Sequence, residues 1–91
     1  MTHKHQFNKR YGFDKDQSHS RGELARITKI PLKVLNEVFK RGIGAFSTSP
    51  QSVRPHIVSP EEWGASRVYA FINKLQKGVL DHDTDLVRFI S

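Results

Sequence analysis

The sequence predicts an all-α domain: two short helices joined by a tight turn, a long central loop, a third amphipathic helix and a short C-terminal helix. Three observations carry that expectation. Apolar residues recur at helical spacing in two stretches, Leu32, Leu35, Val38 and Phe39, then Ala65, Val68, Ile72 and Leu75. Residues that start and stop helices punctuate both stretches. No paired strand-like alternation and no internal repeat interrupts them. Helices are expected over about 20–28, 31–41, 60–77 and 84–90, making residues 20–91 one domain behind an arm of residues 1–19.

The arm, MTHKHQFNKRYGFDKDQSH, has neither helical nor strand periodicity. Phe7, Tyr11 and Phe13 alternate with Lys4, Lys9, Arg10 and Lys15. Cations in such a segment meet phosphates while aromatic rings stack on bases or wedge into a neighbour. The alternative is that the three rings staple the arm to its own core.

Ser20 and Glu23 have capping-box spacing, each side chain serving the other residue's amide. Leu24, Ala25 and Ile27 form a short apolar stripe, and residues 28–30 make a turn. Pro31 suits the first position of the next helix, where a missing N–H costs nothing. Gly42 is placed to end that helix in the left-handed conformation. The third helix begins with a cap at Ser59, a proline at Pro60 and a glutamate at Glu62, and Gly78 closes it. Trp63, Tyr69 and Phe71 add bulk beside its seam. Gly64 is a poor helix residue, and its expected use is to let another backbone approach. Leu86, Phe89 and Ile90 are the apolar contacts of the last helix.

Composition narrows the function classes. Ninety-one residues make one small domain, and a hydrophobic content of 36% implies a small core. The absence of cysteine excludes disulfides and thiolate metal sites. No apolar run approaches a membrane span and no secretory segment follows the polar start, so the expectation is a soluble protein of a cytoplasm, without membrane contact. Residues 1–41 hold ten Lys/Arg against four Asp/Glu, and residues 42–91 hold five against five. The whole excess of +6 therefore sits in the first half. Charge so one-sided favours a polyanionic partner, nucleic acid first among them.

Residues 23–39, ELARITKIPLKVLNEVF, resemble the helix-turn-helix of phage repressors and related regulators. Ala25 takes the small-residue place where two short helices cross, and Ile30, Leu35 and Val38 fall where their shared core is expected. Lys29 stands at the turn position usually filled by glycine. In the DNA-binding version the second helix enters the major groove. Lys33 and Asn36 are suited to guanine and adenine, whereas Pro31 and Leu32 cannot donate to a base edge. The expected nucleic-acid contacts are Lys9, Arg10, Lys29, Lys33, Asn36, Lys40 and Arg41, mostly to phosphate.

Other chemistry finds no support. Asp81, Asp83 and Asp85 alternate like calcium-loop ligands, but Leu86 replaces the loop glycine and the terminal glutamate is missing. Asp83 or Thr84 is better read as a helix cap. His3 and His5 lack a third ordered metal ligand, and no cofactor motif occurs. Without a nucleophile-base pattern, a non-enzymatic role is expected.

The central stretch, residues 42–58, is longer than about 12–15 residues, beyond which irregular loops become uncommon. Gly42, Gly44, Ser47, Thr48 and Ser49 suggest an anion-holding concavity with Arg54 beside it. The alternative is a loop packed by its own Phe46, Val53 and Ile57. RGIGAFSTSPQSVRP, EEWGASRVYAFIN and DHDTDL together resemble a domain of unknown function found in tailed phages and large DNA viruses. The matching residues are Arg41, Gly42, Gly44, Ala45, Thr48, Pro50, Ser52, Val53, Arg54, Trp63, Arg67, Val68, Phe71, Asp83, Asp85 and Leu86, spread over residues 23–86. The resemblance implies a viral or phage setting, in host cytoplasm or virion. It also implies that Arg54, Trp63, Arg67 and the acidic tail act together, with Arg67 and Arg54 pairing with Asp83 and Asp85. A virion or host protein is the alternative partner, docked by the arm and the loop.

Overall fold

The computed structural model describes residues 2–48 and 60–90. Four α-helices, α1 (His3–Tyr11), α2 (Arg21–Thr28), α3 (Leu32–Thr48) and α4 (Pro60–Lys77), are followed by a 3₁₀ helix (Thr84–Phe89). No strand occurs among the described residues, so the all-α expectation holds. No helix among them is long and apolar enough to cross a membrane.

The first departure from expectation is α1. Residues expected to form an aperiodic arm are helical, capped at both ends by local chemistry. The Thr2 hydroxyl accepts from the His5 amide at 3.2 Å. Gly12 turns left-handed at φ 78°, and the Phe13 amide reaches back to the Asn8 carbonyl at 2.8 Å. Phe7 is fully buried and packs against Tyr11, Phe13 and Tyr69. Of the two readings for the arm's aromatics, the structure shows the staple for Phe7.

In α2 the Ser20 hydroxyl accepts from the Glu23 amide at 3.1 Å, as the capping-box spacing requires. The helix ends at Lys29, left-handed at φ 65° in the place a glycine usually fills. Pro31 stands one residue before α3, where its carbonyl accepts from the Val34 amide at 3.0 Å. Val34, Leu35 and Val38 face the core, together with Leu24 and Ile30.

The second departure is at Gly42, which does not end its helix. α3 runs on to Thr48 because Gly42 is buried where α3 meets α4. A Cβ on Gly42 would lie 2.9 Å from the Gly64 Cα, and one on Gly64 would lie 2.9 Å from the Phe39 ring and 3.1 Å from its carbonyl. The two glycines let the helix backbones touch, which is the use foreseen for Gly64. Of the loop residues, Ser49, Val53, Arg54, Ile57 and Ser59 lie outside the described residues.

α4 is the hub. α3 packs along it, α1 packs on it as well, and it buries Val68, Tyr69, Phe71, Ile72 and Asn73. Gly78, left-handed at φ 73°, ends it as expected. Its amide bonds the Leu75 carbonyl while the Val79 amide bonds that of Lys74. Leu86 closes the core from the 3₁₀ helix.

Candidate nucleic-acid interface and the arginine–aspartate cluster

On α3 the positions opposite the core are Lys33, Asn36 and Lys40, all exposed. Their spacing of three and four puts them on one face. Lys29 precedes them from the turn and is exposed too. Among the described residues no carboxylate lies within ion-pair distance of any of these lysines. Asn36 is partly engaged, since its side-chain oxygen accepts from Arg21 Nε at 2.8 Å. The Arg21 guanidinium in turn lies 3.8 Å from the centre of the Phe39 ring. Leu32, at the start of α3, is 45% exposed. Lys9 and Arg10 are exposed on α1, where Arg10 donates to the Gln76 side chain of α4. No hydrogen bond or ion pair among the described residues joins these two to the α3 cations.

Arg41 departs from that set. Its Nη1 donates to Asp83 Oδ1 at 2.9 Å and to Asp85 Oδ1 at 2.9 Å, and its Nη2 donates to Asp85 Oδ2 at 2.8 Å. Arg67 Nε and Nη2 hold the two oxygens of Asp83 at 3.1 and 2.9 Å. The Asp83 side chain, 3% exposed, is the keystone of α3, α4 and the tail. It sits at the cap position of the 3₁₀ helix, left-handed at φ 59°, but its carboxylate serves the arginines and makes no cap bond. The expected pairing of Arg67 with the tail is thus present, while the second guanidinium on the acids is Arg41; Arg54 is outside the described residues. Gly44 is exposed on α3, one turn from Arg41.

The electrostatics follow from this geometry. Burial opposes ionisation of Asp83, and the hydrogen bonds from Arg67 and Arg41 outweigh it, so its pKa lies below the ordinary 3.8. The Arg41 hydrogen bond likewise lowers that of Asp85. Arg41 is held more firmly protonated by the bonds it donates to Asp85 and Asp83.

Beside the cluster lies a cleft of about 240 Å³ lined by Trp63, Phe71, Leu80, Arg67 and His82, among others. Its charges are internally matched: Arg67 with Asp83, and Lys74 Nζ with Asp81 at 3.1 Å. Trp63 thus shares a cleft with Arg67 and Asp83, two of the residues with which the motif resemblance groups it.

A polar network under α1 has no counterpart in the sequence reading. Asn8 is fully buried and donates to the carbonyls of Lys15 at 2.8 Å and Gln17 at 3.0 Å. Both N–H bonds being used, its oxygen accepts from His19 Nε2 at 2.8 Å. The His19 ring packs on Phe13 and Phe7 with centres 4.6 and 5.5 Å away. The Thr2 and Gly12 caps were the available signal for the helix that places Asn8 there. Of the two N-terminal histidines, His5 Nε2 contacts Asp16 at 2.9 Å. His3 is held below its ordinary pKa of 6.5 by burial and by Lys74 and Lys77.

The chain belongs to the family of unknown function DUF5824, whose family model matches residues 2–87. The match takes in α1, so the N-terminal segment is part of the family unit, which extends beyond the motif resemblance over residues 23–86. No curated protein and no solved structure matches the chain.

Proposed function

We propose that this member of DUF5824 is a non-enzymatic viral or phage protein that contacts nucleic acid through the outer face of α3 and the turn before it. The observation behind this reading is the row Lys29, Lys33 and Lys40, exposed and without a carboxylate partner among the described residues. It lies in the half of the chain that holds the entire +6 excess. The α2–α3 pair joined by a left-handed Lys29 is consistent with a helix-turn-helix. The leading end of α3 carries Pro31 and Leu32, which offer no donor to a base, and Asn36 is held by Arg21. Binding of this kind is driven by phosphate and indifferent to sequence. The viral or phage setting rests on the motif resemblance alone.

Titration of labelled duplex DNA at several salt concentrations tests the reading. Three lysine contacts predict a log–log salt slope of about −3, at roughly −0.9 per phosphate neutralised. Substituting Lys29, Lys33 and Lys40 by Gln should abolish most of it. No binding at low salt, or binding that ignores salt, overturns the reading.

A second reading is favoured by the exposed Leu32, Val87 and Phe89, the last at 40% exposure with Lys33 Nζ 4.7 Å from its ring centre. Exposed apolar side chains, with the cations Lys33 and Arg88 on the Phe89 ring, also suit a protein neighbour, such as another component of a virion. Mass spectrometry of purified particles separates the two, because a virion component is present in stoichiometric amount.

A further inference from the structure

The 3₁₀ helix lies along α3, with Asp83 and Asp85 on Arg41 at one end and Phe89 beside Lys33 at the other. Lys33 and Arg41 are two helical turns apart, about 12 Å. The tail therefore spans the length of the α3 segment proposed to meet nucleic acid. Arg41 is the side chain of that segment best shaped for phosphate, because a guanidinium fork takes two oxygens at once. Asp85 presents two oxygens to it in just that manner. The two aspartates differ in access: the Asp85 side chain is 62% exposed, whereas that of Asp83 is 3% exposed and also held by Arg67.

We propose that Asp85 occupies, on Arg41, the place of a backbone phosphate, so that nucleic acid binds by exchange. The incoming phosphate displaces Asp85, while Asp83 stays in place and keeps the guanidinium aimed. Arg41 is then a phosphate-binding residue held in reserve, and the tail carboxylate sets how strongly a polyanion must compete. This inference rests on the nucleic-acid reading above and specifies how its site is regulated.

The test compares wild type with Asp85→Asn, with Asp14→Asn, which removes an equal charge from an exposed residue outside the ion pairs of the cluster, and with Arg41→Gln alone and combined with Asp85→Asn. The probe is the same labelled duplex DNA, and melting curves confirm that each variant is folded. Asp85→Asn should bind about 3–10-fold more tightly than wild type, with a salt slope steeper by roughly one. Asp14→Asn should gain less, and the gain from Asp85→Asn should vanish in the Arg41→Gln background. If Asp85→Asn gains no more than Asp14→Asn, or keeps its gain without Arg41, the exchange is wrong while the nucleic-acid reading stands. If neither wild type nor Asp85→Asn binds, both fall.

Discussion

A methyl group on Gly42 has nowhere to go: the nearest atom is the Gly64 backbone at 2.9 Å, which cannot swing aside as a side chain does. Alanine is the better helix former by about 1 kcal/mol, so propensity and packing pull in opposite directions here. Packing should win at Gly42 and at Gly64, where the clash includes the Phe39 carbonyl. Gly42→Ala and Gly64→Ala are each expected to lower stability by about 1–3 kcal/mol. Gly22→Ala, in α2 with nothing among the described residues within 4 Å of the new methyl, should raise it by about 0.5–1 kcal/mol. Urea denaturation of the three variants checks the order. Gly64 was legible because it interrupts a strong helical pattern. Gly42 was not, because a glycine following Lys40 and Arg41 reads locally as a helix end, and only its contact with α4 shows otherwise.

At the scale of elements, α1 is the test of what the N-terminal segment is. Its apolar residues are too few for a visible stripe, and one ring, Phe7, does most of the burying. The helix is anchored to α4 by Asn73 Nδ2 on the His3 carbonyl at 2.7 Å and by Gln76 Nε2 on the Tyr11 hydroxyl at 2.6 Å. Phe7→Ala should cost about 3–5 kcal/mol, a large part of the roughly 5–15 kcal/mol that holds a domain together. A detachable arm would lose nothing measurable, so the thermal midpoint decides. The helices beginning near residues 20, 31 and 60 were legible from caps and prolines, as was the stop at Gly78. The bonds of α1 to α4 were not, since they span some seventy residues and leave no local signature.

At the scale of the whole molecule, protonation links the cluster to stability. Asp83 and Asp85 have lowered pKa values in the fold, so their contribution is complete above the ordinary 3.8 and is lost as pH falls through the depressed values. His3 is also lowered, from 6.5, so the unfolded chain takes up its proton first and stability begins to decline below about that pH. Melting temperature should therefore fall in two stages, a shallow one below about pH 6.5 and a steeper one below about pH 4. Asp83→Asn should cost about 1–3 kcal/mol at neutral pH and flatten the acid stage. His3→Gln should remove the shallow stage. That Arg67 would meet the acidic tail was legible from the motif resemblance. Arg41 was not assigned there, because adjacency to Lys40 groups it with the outward cations until the fold turns its side chain to the tail.

The docking of α1 on α4 also bears on how the protein is made. A translating ribosome releases His3 and Gln6 long before their partners Asn73 and Lys77 exist, as these pairs lie 70 and 71 residues apart. At about 5–20 residues per second, the Phe7 ring waits several seconds without its burial site. During synthesis the first helix thus carries an uncovered aromatic ring, open to chaperones and proteases until the hub helix has emerged.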